Sequence, residues 1–490
     1  MPLFFAFKVF YVRETFLPEK ISHHLITQKL FLSNKRIFFL IPSGGFGMPH
    51  KRKISLIGII GISLTTVIGS GIWKDSLVWS NKVGIFSLVT ITIGWLLILT
   101  AGLSYAECVS MFPKSGGPYS YVGGVFGKKA GSSVGILYLL GYLIGSTILA
   151  FLAALFTLSA INTALLNALN LTLLTFAYLL LFVILAALSS PRIFGIISFT
   201  WVVIKIVLVV IVSIIALTHW SYSPPGSISF VNYQLAINGG LWSLMGFELV
   251  LVFSGDVENV EQKMPKGLLI TLPIILVLYL FVTISFAGLI SIGEIPVDAD
   301  IVSLIFLLAS KSSIPSWIVF AFAAFSAAGT GYAILTMVLK QVKVLTEDDV
   351  LPSIFKKKLA GINVFSSLFI LLGTFIVATV MVGTVDVWEN SIVSFIAVGL
   401  GLILISAMFP AGLIALYLRI KLPALKRPFK TPLAVIIFPL AILLSLYLLV
   451  LNFWEIRKLW PGLVILITFL IVIPLLVFLF QKDDTELPTN

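Results

Sequence analysis

The chain has very little cysteine and histidine. A single cysteine, Cys108, stands in 490 residues, which excludes an intramolecular disulfide and a metal cluster built from cysteines. No HExxH or GxSxG motif occurs, and the four histidines all fall outside the apolar runs: His23, His24, His50 and His219. A membrane-embedded enzyme would need convergent ligands or nucleophiles within those runs. The sequence therefore predicts no enzyme, no metal and no cofactor, although it excludes a receptor or a structural protein less firmly.

Charge is also scarce, at 11% of residues, whereas 59% are hydrophobic and the mean hydropathy is +1.13. These values are typical of a polytopic membrane protein. Because about 20 apolar residues cross a bilayer, the runs predict an all-α fold of about 12 transmembrane helices. They lie at roughly 54–79, 84–111, 133–161, 171–189, 196–217, 239–261, 268–292, 314–340, 362–384, 391–418, 433–452 and 461–480.

The net charge of +12 follows the membrane topology. If the cluster Lys51-Arg52-Lys53 is cytoplasmic, 20 basic residues lie on that side and 5 on the other. Cytoplasmic loops carry such an excess of lysine and arginine. We therefore expect a multi-pass protein of the plasma membrane with both termini in the cytoplasm, and no nucleic-acid partner.

Residues 1–50 differ from the rest, being aromatic and basic without a run of spanning length. They lack the small-residue cleavage site of a signal peptide. We interpret them as an N-terminal extension, either disordered or preceding a natural start at Met48.

The first and sixth spans are each interrupted by small or polar residues, at Gly69-Ser70-Gly71 and near Gly246. Irregular backbone at membrane depth is tolerated only where protein or a watery cavity surrounds it. Paired interruptions five spans apart indicate inverted repeats with a binding site between them. This predicts a first repeat over 51–220, a second over 221–420, two further spans within 421–482 and a tail at 483–490. Glycines that only allow close helix packing are the alternative, as expected for Gly58 and Gly61.

Several separated motifs resemble those of the amino acid–polyamine–organocation superfamily of permeases. They are IGSGIW in the first span, YAECVSMFPKSGGPYSYVGGVFG from the end of the second span onward, GFE in the sixth, LKQVKVLTEDDVLPSIF after the eighth and RIKLPALKRPFKTPL before the eleventh. Lys340 departs from the pattern, since arginine is usual there. The resemblance covers about 51–482 and implies the LeuT-type fold of five-plus-five inverted repeats with two added helices.

An amino acid offers a carboxylate and an ammonium group, and broken helices offer complements to both. Free amides at a helix N-terminus suit the carboxylate, and unwound carbonyls suit the ammonium. We expect Ser70 and Gly71 to hold the carboxylate, with Ile68 and Gly69 at the break. Carbonyls around Gly246 and Phe247 would take the ammonium. A serine hydroxyl bonded to its own helix is the alternative for Ser70.

Trp242 precedes the second break by one helical turn. By resemblance it occupies the position of an aromatic gate over the substrate. A tryptophan of the membrane interface is an equal alternative.

Lys205 lies deep in the fifth span, where an ionisable residue is by default a functional hypothesis. The resemblance implies that a lysine here can replace a sodium ion and couple transport to protons. We expect it to bond carbonyls near Gly58 and the hydroxyl of Thr330, and we expect Glu248 to orient the second break or relay protons. A permanently charged, structural lysine is the alternative.

Together these features predict a secondary transporter that moves an amino acid by alternating access, driven by proton symport. Exchange without net proton coupling, or a polyamine substrate, remains open. The sequence names neither the amino acid nor an oligomeric state.

Overall fold

The computed structural model describes residues 53–221, 233, 236–237, 243–290, 301–357, 363–383, 391–457 and 460–481. This part of the chain is almost entirely helical. Its one isolated β-bridge joins Ile54 to Val257. The predicted N-terminal extension, the predicted C-terminal tail and Trp242 lie outside the described residues.

The α-helices follow one another along the chain with short 3-10 segments between some of them. In order they are α1 (Leu56–Val67), α2 (Gly71–Val83), α3 (Ser87–Met111), α4 (Pro118–Phe126), α5 (Lys128–Ile161), α6 (Ala168–Leu188), α7 (Pro191–Thr218), α8 (Val260–Ala287), α9 (Ile301–Ser312), α10 (Ser316–Glu347), α11 (Val364–Gly383), α12 (Ser391–Ile403), α13 (Phe409–Lys421), α14 (Ala434–Ile456) and α15 (Trp460–Phe480). The 3-10 helices are Gly84–Phe86, Thr163–Leu165, Phe247–Asp256 and Ser353–Lys356, and a π-helix at Leu404–Met408 joins α12 to α13.

Within the described residues, ten helical segments are long and apolar enough to cross a membrane. Two shorter apolar helices accompany them, Leu56–Val67 and Val302–Ser312. The all-helical, membrane-spanning class is thus confirmed, while the number of twelve spans stays a prediction. Helices α4 and α9 were not foreseen, because the sequence analysis assigned both stretches to loops between spans.

Helices pack against partners five predicted spans away along the chain. Helix α3 packs on α8, α5 on α10 and α6 on α11, and α1 contacts the 3-10 helix 247–256. Two repeats of five spans would produce this pairing. Helix α5 is central, with 89% of its most apolar stretch buried, against 11% in α15. The interruptions at Ile68 to Ser70 and at Gly246 are buried inside this packing.

Candidate functional site

The first break is a local loss of helical hydrogen bonding between α1 and α2. Ile68 leaves the helical conformation, with φ −79° and ψ 85°. The amide of Gly69 turns to the carbonyl of Val67 at 2.9 Å. In a continuous helix that amide would bond to Thr65 instead. The carbonyls of Thr65 and Ile68 are therefore available to groups outside the helix.

Lys205 takes up both of these carbonyls. The side chain, on α7, is only 2% exposed. Its ammonium donates to the carbonyl of Ile68 at 2.8 Å, to the carbonyl of Thr65 at 3.3 Å and to Oγ1 of Thr330 at 2.7 Å. An ammonium group has three N–H donors, so each donor has an acceptor, and all three acceptors are uncharged.

Thr330 completes this cluster from α10. Its hydroxyl lies 2.7 Å from the carbonyl of Thr65 and 3.0 Å from that of Ile68, so its one proton is shared between these two acceptors while its oxygen accepts from Lys205. A cation held by carbonyls and hydroxyls has the ligand set of a small hard metal ion. The break is consequently tied to α7 and α10 through one ammonium group.

Gly58 does not take part in this cluster. A Cβ placed on it would meet the backbone of Gly195 at 3.4 Å, so the glycine allows α1 and α7 to approach closely. The carbonyls that Lys205 does bond lie about two turns or more further along the chain, at Thr65 and Ile68. The prediction for Gly58 is corrected accordingly, because the unwound carbonyls are more available than those inside a regular helix.

The second break is centred on Gly246, which has φ +109°. Residues with side chains rarely adopt this conformation. The chain continues as the 3-10 helix Phe247–Asp256. The hydroxyl of Thr66 donates to the carbonyl of Gly246 at 2.9 Å, which joins the two breaks directly.

Glu248 is fully buried and bridges the second break to α5. Its carboxylate accepts hydrogen bonds from the hydroxyl of Tyr142 and, at 3.2 Å, from the amide of Gly246. Phe247 is fully buried as well, and its ring lies close to the position that a side chain on Gly102 would take. This glutamate thus fixes the turn at Gly246.

A small cavity of about 30 Å³ lies between the two breaks. Of the residues predicted to bind substrate, Gly69, Ser70 and Gly71 line it, whereas Ile68, Gly246 and Phe247 do not. The other described lining residues are Thr66, Val67, Tyr142, Leu149, Ser243, Met245, Thr330, Ile334 and Ile403. Ser70 precedes α2, and its side chain makes no capping hydrogen bond to that helix. This gives no support to the alternative in which the serine hydroxyl bonds to its own helix.

Asp75 and Ser243 form a buried pair beside the cavity, whose wall includes Ser243, and the sequence analysis missed both. They are 2% and 4% exposed, and the hydroxyl of Ser243 donates to Asp75. A side chain on Gly71 would collide with Ser243. An acid inside a predicted span was the signal that could have revealed Asp75.

The opposite end of the bundle is held by Asp256. Its carbonyl accepts from the amide of Ile54 at 2.9 Å, and its carboxylate lies 2.6 Å from Nζ of Lys340. These contacts join the start of α1, the end of the 3-10 helix 247–256 and α10. The first span is therefore tied to the sixth at two separate places, by Asp75 with Ser243 and by Ile54 with Asp256.

Glu107 lies apart from the breaks. Among the described residues, its carboxylate pairs with Arg419 at 2.7 Å through both oxygens and accepts from the amide of Thr431 at 2.8 Å, rather than bonding to the Tyr119 loop. Tyr119 instead donates to Asp348 at 2.8 Å. Burial raises the pKa of Tyr119, and the charge of Asp348 adds to this. The phenol therefore stays a neutral donor.

In the part of the chain that the structure describes, ten long apolar helices, two adjoining helix breaks and the cavity between them define a multi-pass membrane protein with a small buried site. The family model described as "Amino acid permease" matches residues 54–478. The chain therefore belongs to the amino acid permease family, within the amino acid–polyamine–organocation group that its motifs resemble.

Three relatives show the range of the family. The chain is 28% identical to the Large neutral amino acids transporter small subunit 2 of Homo sapiens, over 52% of this chain and 50% of that protein. It is 24% identical to the Serine/threonine exchanger SteT of Bacillus subtilis, over 50% of this chain and 57% of that protein. It is also 24% identical to the Branched-chain amino acid permease BcaP of the same bacterium, over 89% of this chain and 94% of that protein. The chain thus spans about half the length of the first two relatives and nearly all of the third.

Proposed function

We propose that this protein is a secondary transporter that carries a neutral amino acid across the plasma membrane by alternating access, driven by protons. The observation that carries the proposal is the ammonium of Lys205 bound to the carbonyls of the first break. The asymmetry of basic residues supports cytoplasmic termini.

The substrate carboxylate binds at the start of α2. The first amides of a helix have no partners within it, and they lie at the positive end of the helix dipole. Ser70 and Gly71 supply these groups on the cavity wall. The substrate ammonium is held on the other side by backbone carbonyls of the second break, whose residues Ser243 and Met245 line the cavity just before Gly246 and Phe247.

A neutral side chain suits this cavity. None of its described lining residues is charged, and several are apolar, among them Leu149, Met245, Ile334 and Ile403. A cationic side chain or a polyamine would need a carboxylate in the lining, because burying an unpaired charge is costly. The three relatives are named for large neutral amino acids, for serine and threonine, and for branched-chain amino acids.

Proton coupling works through the shape of the first break. While Lys205 is protonated, it holds the carbonyls of Thr65 and Ile68 together. Loss of the proton removes a donor and the positive charge, so these buried carbonyls lose partners and the break must rearrange. Gly69 and Ser70 are the next residues in the chain, so the proton and the substrate act on the same turn.

Alternating access requires the two closures to open in turn. On the α2 side the closure is the bond from Ser243 to Asp75. On the other side it is Asp256 with Ile54 and Lys340. Both closures join the first span to the sixth, and both are formed in this structure. Each closure opens when the parts of the two spans on its own side of the breaks move apart.

The test is uptake of a panel of labelled amino acids into proteoliposomes that contain the purified full chain, with and without an inward proton gradient. We expect uptake of neutral amino acids that the gradient stimulates. Uptake of none of the panel, in vesicles whose protein is folded and inserted, would contradict the proposal.

Exchange without net proton movement is the second candidate, and the relative named an exchanger favours it. In that case uptake would require an amino acid inside the vesicle and would ignore the proton gradient. Counterflow measured in the same vesicles separates the two modes.

A further inference from the structure

A second cavity, of about 450 Å³, lies in the segment after α13, away from the helix breaks. Its seven described lining residues comprise four cations and no acid: Arg419, Pro423, Ala424, Leu425, Lys426, Arg427 and Lys430. We propose that this cavity binds an anionic phosphate group.

The two arginines give the cavity a rigid base. Arg427 is 8% exposed, and its guanidinium donates to four backbone carbonyls, those of Leu418, Leu422, Pro423 and Leu425, at 2.6 to 2.9 Å. Arg419 spends two of its five N–H donors on Glu107. The loop is therefore fixed in place before any ligand binds.

The lysines have no such structural task. Lys426 and Lys430 are exposed at the rim of the cavity. Glu107 balances only one of the four positive charges, so the cavity retains a net positive charge. A phosphate monoester or diester supplies the negative charge and the acceptor oxygens that arginine and lysine bind.

Exposed apolar side chains lie beside these cations. Ile420 is 65% exposed and Leu422 is 50% exposed. Basic pockets with apolar neighbours at the cytoplasmic edge of transmembrane helices bind anionic lipid headgroups. The phosphate can come from such a lipid or from free solution, and the experiment must distinguish these sources.

The experiment is native mass spectrometry of the full chain in detergent, titrated with phosphatidylglycerol and, separately, with phosphatidylcholine. The double variant Lys426→Gln/Lys430→Gln keeps both arginines and the bonds of Glu107. We expect it to bind phosphatidylglycerol about 30-fold more weakly than the parent protein, since each of the two lysines contributes about 1 kcal/mol beside anionic lipid and about 1.4 kcal/mol is tenfold.

The matched control is Lys266→Gln/Lys357→Gln, which removes two basic residues predicted to lie on the same membrane side but outside this cavity. It should bind as the parent does. Competition by millimolar inorganic phosphate would identify free phosphate as a sufficient ligand, and its failure to compete would identify the lipid headgroup. Equal binding of phosphatidylglycerol by the parent and Lys426→Gln/Lys430→Gln, or equal binding of the two lipids by the parent, would overturn the proposal. The readout is binding, so it does not depend on transport.

Discussion

The ammonium nitrogen of Lys205 lies 2.8 Å from the carbonyl oxygen of Ile68, the residue at which the first helix loses its regular conformation. A cation thus occupies the place where broken backbone needs a donor. Because Gly69, Ser70 and Gly71 follow directly and line the cavity, any change in this contact reaches the proposed substrate site through at most three residues.

Replacing Gly71 with leucine should abolish substrate binding. Its Cβ would collide with the buried Ser243, and the side chain would enter the cavity at the proposed carboxylate position. Equilibrium binding of a labelled neutral amino acid to the purified protein measures the effect. Gly124→Leu is the matched control, because a Cβ there meets nothing within 4 Å. Normal binding by a folded Gly71→Leu protein would refute the assignment.

Tyr142→Phe removes a hydrogen bond from the buried carboxylate of Glu248. Leaving a buried acceptor without its donor costs about 1–3 kcal/mol, and we expect the turn at Gly246 to loosen. Substrate affinity should fall by roughly tenfold. Tyr178→Phe also loses a hydroxyl contact, to Thr157 at 2.8 Å, but far along the chain from either break. If both variants bind substrate equally well, Glu248 does not organise the site.

Ser243→Ala should weaken the closure on the α2 side, because Asp75 loses the donor that holds it. The cavity should then open more often toward that side. With Cys108→Ser as background, Val67→Cys provides a single reporter in the lining, and its rate of labelling by a membrane-impermeant maleimide measures access. We expect labelling severalfold faster than in the same protein with Ser243 retained.

Ser310→Ala serves as the control for this measurement, since the hydroxyl of Ser310 bonds within its own helix, to the carbonyl of Leu307. An unchanged labelling rate after Ser243→Ala would remove the Asp75 contact from the account of alternating access.

Glu107→Ala should destabilise the protein without affecting proton coupling. Its buried carboxylate holds Arg419 and the amide of Thr431. Removing one partner of a buried ion pair costs about 3–5 kcal/mol, and the loss would also leave Arg427, buried 3.3 Å from Glu107, without its carboxylate. Thermal unfolding in detergent measures the loss. Lys356→Ala, which breaks an exposed pair with Asp349, should change the melting temperature far less.

The class of fold and the neighbourhood of the first break were predictable from sequence, because hydrophobic length and misplaced polar residues are local signals. Lys205 was identified from its depth in an apolar run, and Thr330 as its partner through the family resemblance. The carbonyls that Lys205 binds were not predicted, because the backbone groups that lose their helical partners depend on how the chain turns at Ile68 and Gly69.

The side-chain pairs between distant spans were not predictable, for a different reason. Ser243 meets Asp75, and Tyr142 meets Glu248, across long stretches of chain. Such pairs depend on how distant spans pack, and a lone serine or tyrosine in an apolar run has no periodic or compositional signal. The helix Ile301–Ser312 was missed because its 12 residues are too short to register as a span.

The most direct test of the central claim is proton movement during amino acid uptake. Proteoliposomes of the full chain are loaded with a pH indicator, and a neutral amino acid is added outside. The account predicts acidification of the interior that rises with uptake in the parent protein. Lys205→Ala should show no acidification while retaining exchange of internal for external amino acid. Uptake by the parent without acidification, or equal acidification by Lys205→Ala, would contradict the account.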